Sequence, residues 1–473
     1  LERKDSEVLK LLFRLIRNIA VLFLVLMANG CDTIWHSSAQ TPAADKPPRI
    51  LKVAGLLHPL SVAPNRTSGF EHDLIELFAE QNGYKVQWQL YPTASQVEAM
   101  VASKQVDMGA ARFNLNLVYE GPFLAGPSYE ESPLSLVCPH FSIAESDGGS
   151  SIFQKLFGKS NHVPSSIKKV YAVEQNLAGN WKSNFFADYP GLELNTVNHE
   201  QSFQLLKAMA RKRNFCALVE KNEGQFYLRM FPALQSVQDL TPPISIGFLV
   251  NDGRTELQQE LFAWFQKASH NRQIEHLRDL YFSHLGSLLA TDELRLLRDR
   301  QDNLKELTPE FKKVAKEFSL PWPLLAAVAY QESHWHNDAR SFTGVRGIMM
   351  LTKETARGMG VDDRADLQQS LWGGAKYLRW LIDLQPKNLS RRESLLLALA
   401  TYNVGTAHIL DAQKLAEQFG LNPYSWKDLK KVLPLLSKPE YYENLDYGEA
   451  RGQEPVDYAN RVLGFYELLS TPI

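Results

Sequence analysis

Two folded parts of different class, a mixed α/β unit followed by an all-α unit, are what this 473-residue sequence predicts. Three observations carry the expectation. Strand and helix patterns alternate from about residue 49, and the pattern turns purely helical beyond Leu285-Gly286-Ser287. The residues before 49 differ from both in composition. The chain is 44% hydrophobic and 22% charged, as ordinary folded proteins are. A net charge of −2 offers no basic field to a phosphate backbone, so nucleic acid is not an expected partner.

The first element is a leader, residues 1–31. Arg3, Lys4, Lys10, Arg14 and Arg17 precede an uncharged apolar run from Ile19 to Ala28, the layout of an export signal. The run falls short of the roughly 20 apolar residues that a membrane span needs. Ala28-Asn29-Gly30-Cys31 resembles a bacterial lipobox, with Ala28 where Leu is usual and a larger residue than normal at Asn29. Two fates stay open: Cys31 is lipidated, or the segment remains as an uncleaved anchor. Residues 32–48, rich in Ser, Ala, Thr and Pro, read as a flexible linker.

Cys138 and Cys216 remain once Cys31 is set aside; they form a pair in an oxidising compartment or stay as two separate buried thiols. No Cys/His cluster has metal spacing, and His334 and His336 do not share a helical face. Neither a metal nor any other cofactor is implied.

Residues 49–286 form the α/β part. Ile50–Ala54 reads as a strand, and Gly69-Phe70-Glu71-His72-Asp73 opens a helix through Phe78 that Gly83 caps. Tyr84–Trp88 alternates as a second strand. A helix over 95–103 and a buried strand over Val106–Ala110 follow, and helical patterns at Glu256–Lys267 and Ile274–Tyr281 end the part. This order, with Gly126-Pro127-Ser128-Tyr129, resembles family 3 of the bacterial extracellular solute-binding proteins. The resemblance implies a two-lobed α/β fold of the periplasmic-binding-protein kind that clamps a small ligand, often an amino acid, between its lobes; the departure that follows turns the expectation to a non-catalytic scaffold or regulatory module, with a wall-derived fragment as the ligand in place of an amino acid. In amino-acid-binding members an Arg that grips the ligand carboxylate precedes the Tyr matching Tyr129 by about ten residues; Tyr119 stands there in this chain, and Arg112 is out of register.

Residues 287–473 form the all-α part. Helical spacing covers Asp292–Leu307, Phe311–Phe318, Leu324–Ser333, Thr352–Met359, Leu371–Leu384 and Ser394–Tyr402. Pro321-Trp322-Pro323 suits a helix start, and Leu324, Val328 and Glu332 follow at spacing four on one stripe. Glu332 thus continues an apolar stripe near the helix C-terminus, and both circumstances raise a carboxyl pKa, as a glycosidic general acid requires. Trp335, Trp372, Trp380 and Trp426, at helical spacing, read as core.

Glu332-Ser333-His334-Trp335 is followed by Ala339-x-Ser341, by Thr343-Gly344-Val345-Arg346-Gly347-Ile348-Met349-Met350-Leu351-Thr352, by Thr401-Tyr402-Asn403-Val404-Gly405, and by Tyr458. In that order these motifs resemble the family 1 lytic transglycosylase domain, whose fold is lysozyme-like. Met350 replaces the family's Gln, and Thr401 its usual Ala. The Met-Met-Leu-Thr form is similar to the branch called membrane-bound lytic murein transglycosylase F, which also couples a family 3 domain to the catalytic one.

The resemblance implies that Glu332 protonates the glycosidic oxygen between N-acetylmuramic acid and N-acetylglucosamine. It then accepts the proton of the muramic 6-hydroxyl, leaving a 1,6-anhydro end without water. Ser333, Ser341, Gly347, Met349, Met350, Tyr402, Asn403 and Tyr458 are the implied substrate-binding residues, with Tyr458 holding either Glu332 or the acetamido group of the sugar and with Gly344 and Gly347 admitting the glycan close to the backbone. The implied partners are peptidoglycan glycan strands and, through the N-terminal lipid or anchor, a membrane; the implied place is the periplasm at the outer membrane. Two alternatives stand beside this reading: a hydrolysing muramidase with Asp338 as second carboxylate, and a wall-bound solute sensor without catalysis.

Overall fold

The computed structural model describes residues 49–471 apart from 64–67, 118–120, 141–162, 164–165, 174–184, 186–187, 198–201, 286, 289 and 342–343. The expectations for residues 1–48, Cys31 included, and for Tyr119 lie outside the described residues. Arg49–Ile473 is one compact unit.

The α/β part begins β1 (Arg49–Leu56), α1 (Phe70–Gln81), β2 (Tyr84–Tyr91), α2 (Ala94–Ala102) and β3 (Met108–Asn114). It continues β4 (Phe123–Pro139), β5 (Lys169–Val173), β6 (Glu193–Val197), α3 (Ser202–Lys212), β7 (Cys216–Glu220), α4 (Lys221–Leu228) and β8 (Leu234–Asn251). Two helices close it, α5 (Thr255–Gln266) and α6 (Ala268–Phe282). The sheet order is β2-β1-β3-β8-β4-β7-β5-β6. β1 pairs in parallel with β2 and β3, and β5 with β6 and β7. These two parallel groups are the lobes. The long antiparallel pair β4–β8 runs through both and joins them.

Local sequence accounts for these elements. Leu51, Val53 and Ala54 are wholly buried, as a strand covered on both faces requires. α1 buries Phe70, Leu74, Ile75 and Phe78 along one stripe, and Gly69 precedes it at φ 140°, where an added Cβ would lie 2.1 Å from the Ser61 carbonyl oxygen. The C-cap of α1 is Asn82, and the expected Gly83 follows it at φ 69°. The strand expected at Val106–Ala110 lies further along, as β3; Val106 is buried ahead of it. Cys138 of β4 and Cys216 of β7 are joined, so the alternative of two free thiols does not hold.

The helical part is α7 (Ala290–Asp302), α8 (Leu304–Glu317), α9 (Trp322–Ser333), α10 (Lys353–Met359), α11 (Leu367–Asp383), α12 (Arg391–Val404), α13 (Thr406–Gln418) and α14 (Trp426–Val432), then a 3₁₀ turn (Leu433–Ser437), α15 (Pro439–Tyr442) and α16 (Gln453–Ser470). The helix expected over Asp292–Leu307 breaks at Asn303, and that expected from Phe311 begins earlier and merges into α8. The polar, charged flank around Asn303 hides the break, because hydrophobic period has nothing to lose there. α9 buries every residue from Leu324 to Tyr330 and so is the central helix, packed against α8 and α16. Thr352, Asp366 and Ser390 each cap the helix that follows by accepting a backbone N–H.

Charge ties the two parts together. Glu467 of α16 accepts from Arg229, which follows α4, at 2.9 Å, from His284 at 2.7 Å and from Arg392 of α12 at 3.0 Å. Arg392 also donates to the Leu280 carbonyl at 2.8 Å, and its guanidinium lies over the Tyr281 ring at 4.3 Å. Lys430 and Asp279 add a pair at 2.6 Å. Three cationic or hydrogen-bonding partners outweigh burial and hold the Glu467 carboxyl well below the usual range. Burial lowers the His284 pKa, so a neutral imidazole with its proton on Nε2 fits this contact.

Candidate active site

Glu332 stands one residue before the end of α9, and the chain then turns sharply. His334 and Trp335 both adopt positive φ, 49° and 64°. The turn is pinned by the Trp335 indole donating to the Ala326 carbonyl at 2.8 Å and by Ser333 Oγ, which lies 2.8 Å from the Ile348 carbonyl oxygen. Ser333 is therefore buried beneath the 344–351 loop rather than open to a ligand.

α16 supplies Tyr458, whose hydroxyl donates to Glu332 Oε1 at 2.6 Å. α12 supplies Tyr402, whose ring is parallel to that of Tyr458 with centroids 6.2 Å apart and whose hydroxyl donates to the Met349 carbonyl at 3.0 Å. Asn403 follows, and Gly405 at φ 88° ends the helix. Glu332, Asn403 and Tyr458 line one cleft of about 600 Å³, with Gln331, Arg451 and Glu454 among its other walls. Burial raises the Glu332 pKa to about 7; the Tyr458 hydrogen bond opposes that shift and the charge of Glu454 adds to it. Burial likewise holds the Tyr402 and Tyr458 phenols well above their ordinary range, so both stay protonated donors.

The loop residues divide. Met350 is partly exposed with φ 46°, a left-handed strain for a side chain of this kind. Met349 is buried against Gly374 of α11. Ser341 accepts from the Val345 N–H across a turn. Gly347, at φ 85°, is approached by protein, since an added Cβ would fall 1.9 Å from the Arg364 carbonyl oxygen. Close approach of a glycan is thus not what that glycine serves; Gly344 alone has open space above it. Arg364, which no motif in the sequence singles out, holds the loop by donating to the Leu351 carbonyl at 2.7 Å and the Gly344 carbonyl at 3.3 Å. Arg451 and Glu454 carry no sequence signal either; they lie among polar residues without a period, so only the fold brings them to the cleft. Asp338 is exposed and is not among the cleft walls. Of the four tryptophans expected in the core, Trp335 and Trp426 are buried, Trp372 is half-buried, and Trp380 is 43% exposed.

The strand ends of the first part hold a second charged cluster. Arg112, at the end of β3 in one lobe, pairs with Glu220 of β7 in the other at 2.8 Å and with Glu130 of β4 at 3.2 Å. His58 of the first lobe faces Glu223 of α4 in the second at 3.2 Å. Ser132 donates to Glu220, Asn222 to Glu130, and Tyr129 to Glu71 at 2.6 Å. Arg112 is buried; burial works against its charge, but Glu130 and Glu220 keep its pKa well above the usual value. Among the described residues no group of three or more His, Cys, Asp or Glu side chains could hold a metal ion, and no helix is long and apolar enough to cross a membrane.

Residues 309–424 match the Transglycosylase SLT domain, and residues 51–284 match the bacterial extracellular solute-binding proteins, family 3. The membrane-bound lytic murein transglycosylase F 2 of Alkalilimnicola ehrlichii is 32% identical over 404 residues, 85% of this chain and 87% of that one. The membrane-bound lytic murein transglycosylase F of Shewanella loihica is 31% identical over 460 residues, 95% and 92% of the two chains. That of Vibrio vulnificus is 29% identical over 88% of this chain and 80% of its own. With identity of this order running through both parts, the chain belongs to the membrane-bound lytic murein transglycosylase F family.

Proposed function

We propose that Glu332 is the single acid–base group of a peptidoglycan lytic transglycosylase, acting on the bond between N-acetylmuramic acid and N-acetylglucosamine. The observation that carries this is a cleft-lining carboxyl with a pKa of about 7, gripped by one tyrosine hydroxyl. Near that value a carboxyl serves equally as donor and acceptor of one proton. It gives the proton to the leaving oxygen as the glycosidic bond breaks. It then takes a proton back from the muramic 6-hydroxyl as that oxygen closes on the anomeric carbon, so the enzyme returns to its starting state. Tyr458 orients the carboxyl, while Tyr402 and Asn403 face the sugar; Ser333, Ser341, Gly347 and Met349 shape the turn and loop behind them. Glu332→Gln folds and loses about 10²–10⁴-fold in cleavage of purified peptidoglycan. Mass spectrometry of wild-type digests shows 1,6-anhydro ends; reducing ends in their place would establish the hydrolase.

The division of labour is 49–286 as a non-catalytic, regulatory part and 287–473 as the catalytic part. The strand-end cluster supports a first part that takes no free amino acid but a wall-derived fragment, or that acts on its neighbour without a ligand. The membrane-bound names of the relatives and the lipobox-like Cys31 support attachment to the outer membrane from the periplasm. Cys31→Ala then appears in the soluble periplasmic fraction, whereas full retention on membranes would establish the uncleaved anchor.

A further inference from the structure

The row of rings that begins at the catalytic carboxyl continues past Tyr402. Tyr402 meets Tyr377 of α11 with centroids 5.2 Å apart. Tyr377 in turn stacks on Trp380, one turn further along the same helix, at 5.8 Å and 21° between planes. Trp380 is 43% exposed, and Leu384, on the same face, 53%. α11 buries Leu371, Ala375, Leu378 and Leu381, Tyr377 is half-buried at the edge of that face, and Trp380 and Leu384 stand out from it. A lone exposed tryptophan needs no explanation. One that ends an unbroken row of four rings starting at Glu332 does.

The chemistry of the row suits a sugar. A pyranose in a β-1,4-linked chain presents an apolar face of C–H groups and a rim of polar substituents, and a flat ring covers that face while leaving the rim in water. Tyr402 is fixed by its hydrogen bond to Met349, and Tyr377 is wedged between Tyr402 and Trp380, so the platform is set before a ligand arrives. The substrate is a polymer, so a strand seated at Tyr402 has to leave the cleft along some surface. The row marks one.

We infer that Trp380, backed by Tyr377, is a distal stacking site for an N-acetylated sugar of the glycan strand, beyond the sugar seated at Tyr402. The inference rests on the reading of Glu332, Tyr402 and Tyr458 as the cleavage site. It fixes the direction in which one arm of the strand leaves that site, along α11.

The test measures binding without turnover. The full exported chain carrying Glu332→Gln is titrated with a disaccharide and a hexasaccharide of N-acetylglucosamine, alone and with Trp380→Ala or Trp380→Phe added. Thermal melts confirm that each variant is folded. Trp380→Ala lowers the ratio of hexasaccharide to disaccharide affinity about three- to tenfold, the worth of one aromatic contact, and Trp380→Phe, which keeps a flat ring, retains most of the ratio. An unchanged ratio in the Ala variant overturns the inference. So does a result in which Trp380→Ala leaves the ratio alone but abolishes binding to phospholipid vesicles, which would assign the patch to a membrane surface. Because no bond is cut, either result is independent of whether Glu332 is the acid.

Discussion

Tyr458 works against the burial that raises Glu332, and this opposition defines what the pair does. The hydroxyl stabilises the carboxylate, burial and Glu454 destabilise it, and the balance rests at about 7. A folded pKa above the ordinary 4.5 has a definite sign. The protonated acid, and any stability tied to it, is fully present below the ordinary value and is lost as pH rises through about 7. Cleavage therefore declines on the alkaline side of about 7. Tyr458→Phe removes the one contact that lowers the pKa, so the alkaline limb moves to higher pH, and loss of orientation reduces kcat between about tenfold and hundredfold. A pH–rate profile of the variant checks both; a limb shifted to lower pH would contradict the assigned roles. At this scale the sequence is most legible. The stripe Leu324–Val328–Glu332 puts the carboxyl on an apolar face, and the resemblance of the surrounding motifs to the lytic transglycosylase domain is what singles it out together with the late Tyr458. The job of neighbours such as Ser333, Gly347 and Met349 stays hidden there, because whether a small or apolar residue near a site faces the ligand or the scaffold is decided by packing.

Among the elements, the strand ends of β1, β3 and β7 converge where open α/β sheets commonly bind ligands. Here the position is taken by the protein. The guanidinium of Arg112, the group a free carboxylate would seek, is engaged by Glu130 and Glu220. A ligand carboxylate would have to displace a buried, hydrogen-bonded carboxylate and leave it unpaired, a cost of about 3–5 kcal/mol. Isothermal titration of the full chain with each common amino acid accordingly shows no binding at micromolar or tighter affinity, and one such signal would refute this. The alternation of strands and helices makes this part readable as a class. The pairing of Arg112 with Glu220, more than a hundred residues away, is not readable, since no local period connects the two. The break at Asn303 escapes for the opposite reason, being too local for a periodic signal.

For the molecule as a whole, the cluster around Glu467 is the main joint. Its carboxyl has a depressed pKa, so the stability it contributes is present above the ordinary carboxylate value and is lost as pH falls through the folded one. Glu467→Gln leaves two buried guanidinium groups without their anion, and unfolding by denaturant shows a loss of about 3–5 kcal/mol. A change below about 1 kcal/mol would mean that the groups find water instead. The joint also sits on the helices that matter for cleavage. α16 carries Tyr458 towards one end and Glu467 towards the other, and α12 carries Tyr402 and Arg392 in the same manner.

That placement bears on how the protein can be taken apart. A cut between residues 286 and 287 follows the change of fold class, and the released C-terminal piece would keep every side chain named around Glu332. It would also keep Glu467 and Arg392 while discarding Arg229, His284, the Leu280 carbonyl and the Tyr281 ring that complete them. The excised enzyme would thus present a raw electrostatic face where the parent has a sealed one. A fragment that begins at Ala268 recovers His284, Leu280 and Tyr281 and leaves only Arg229 behind. The seam of charge and the seam of fold fall at different places along the chain, and a working dissection has to follow the first.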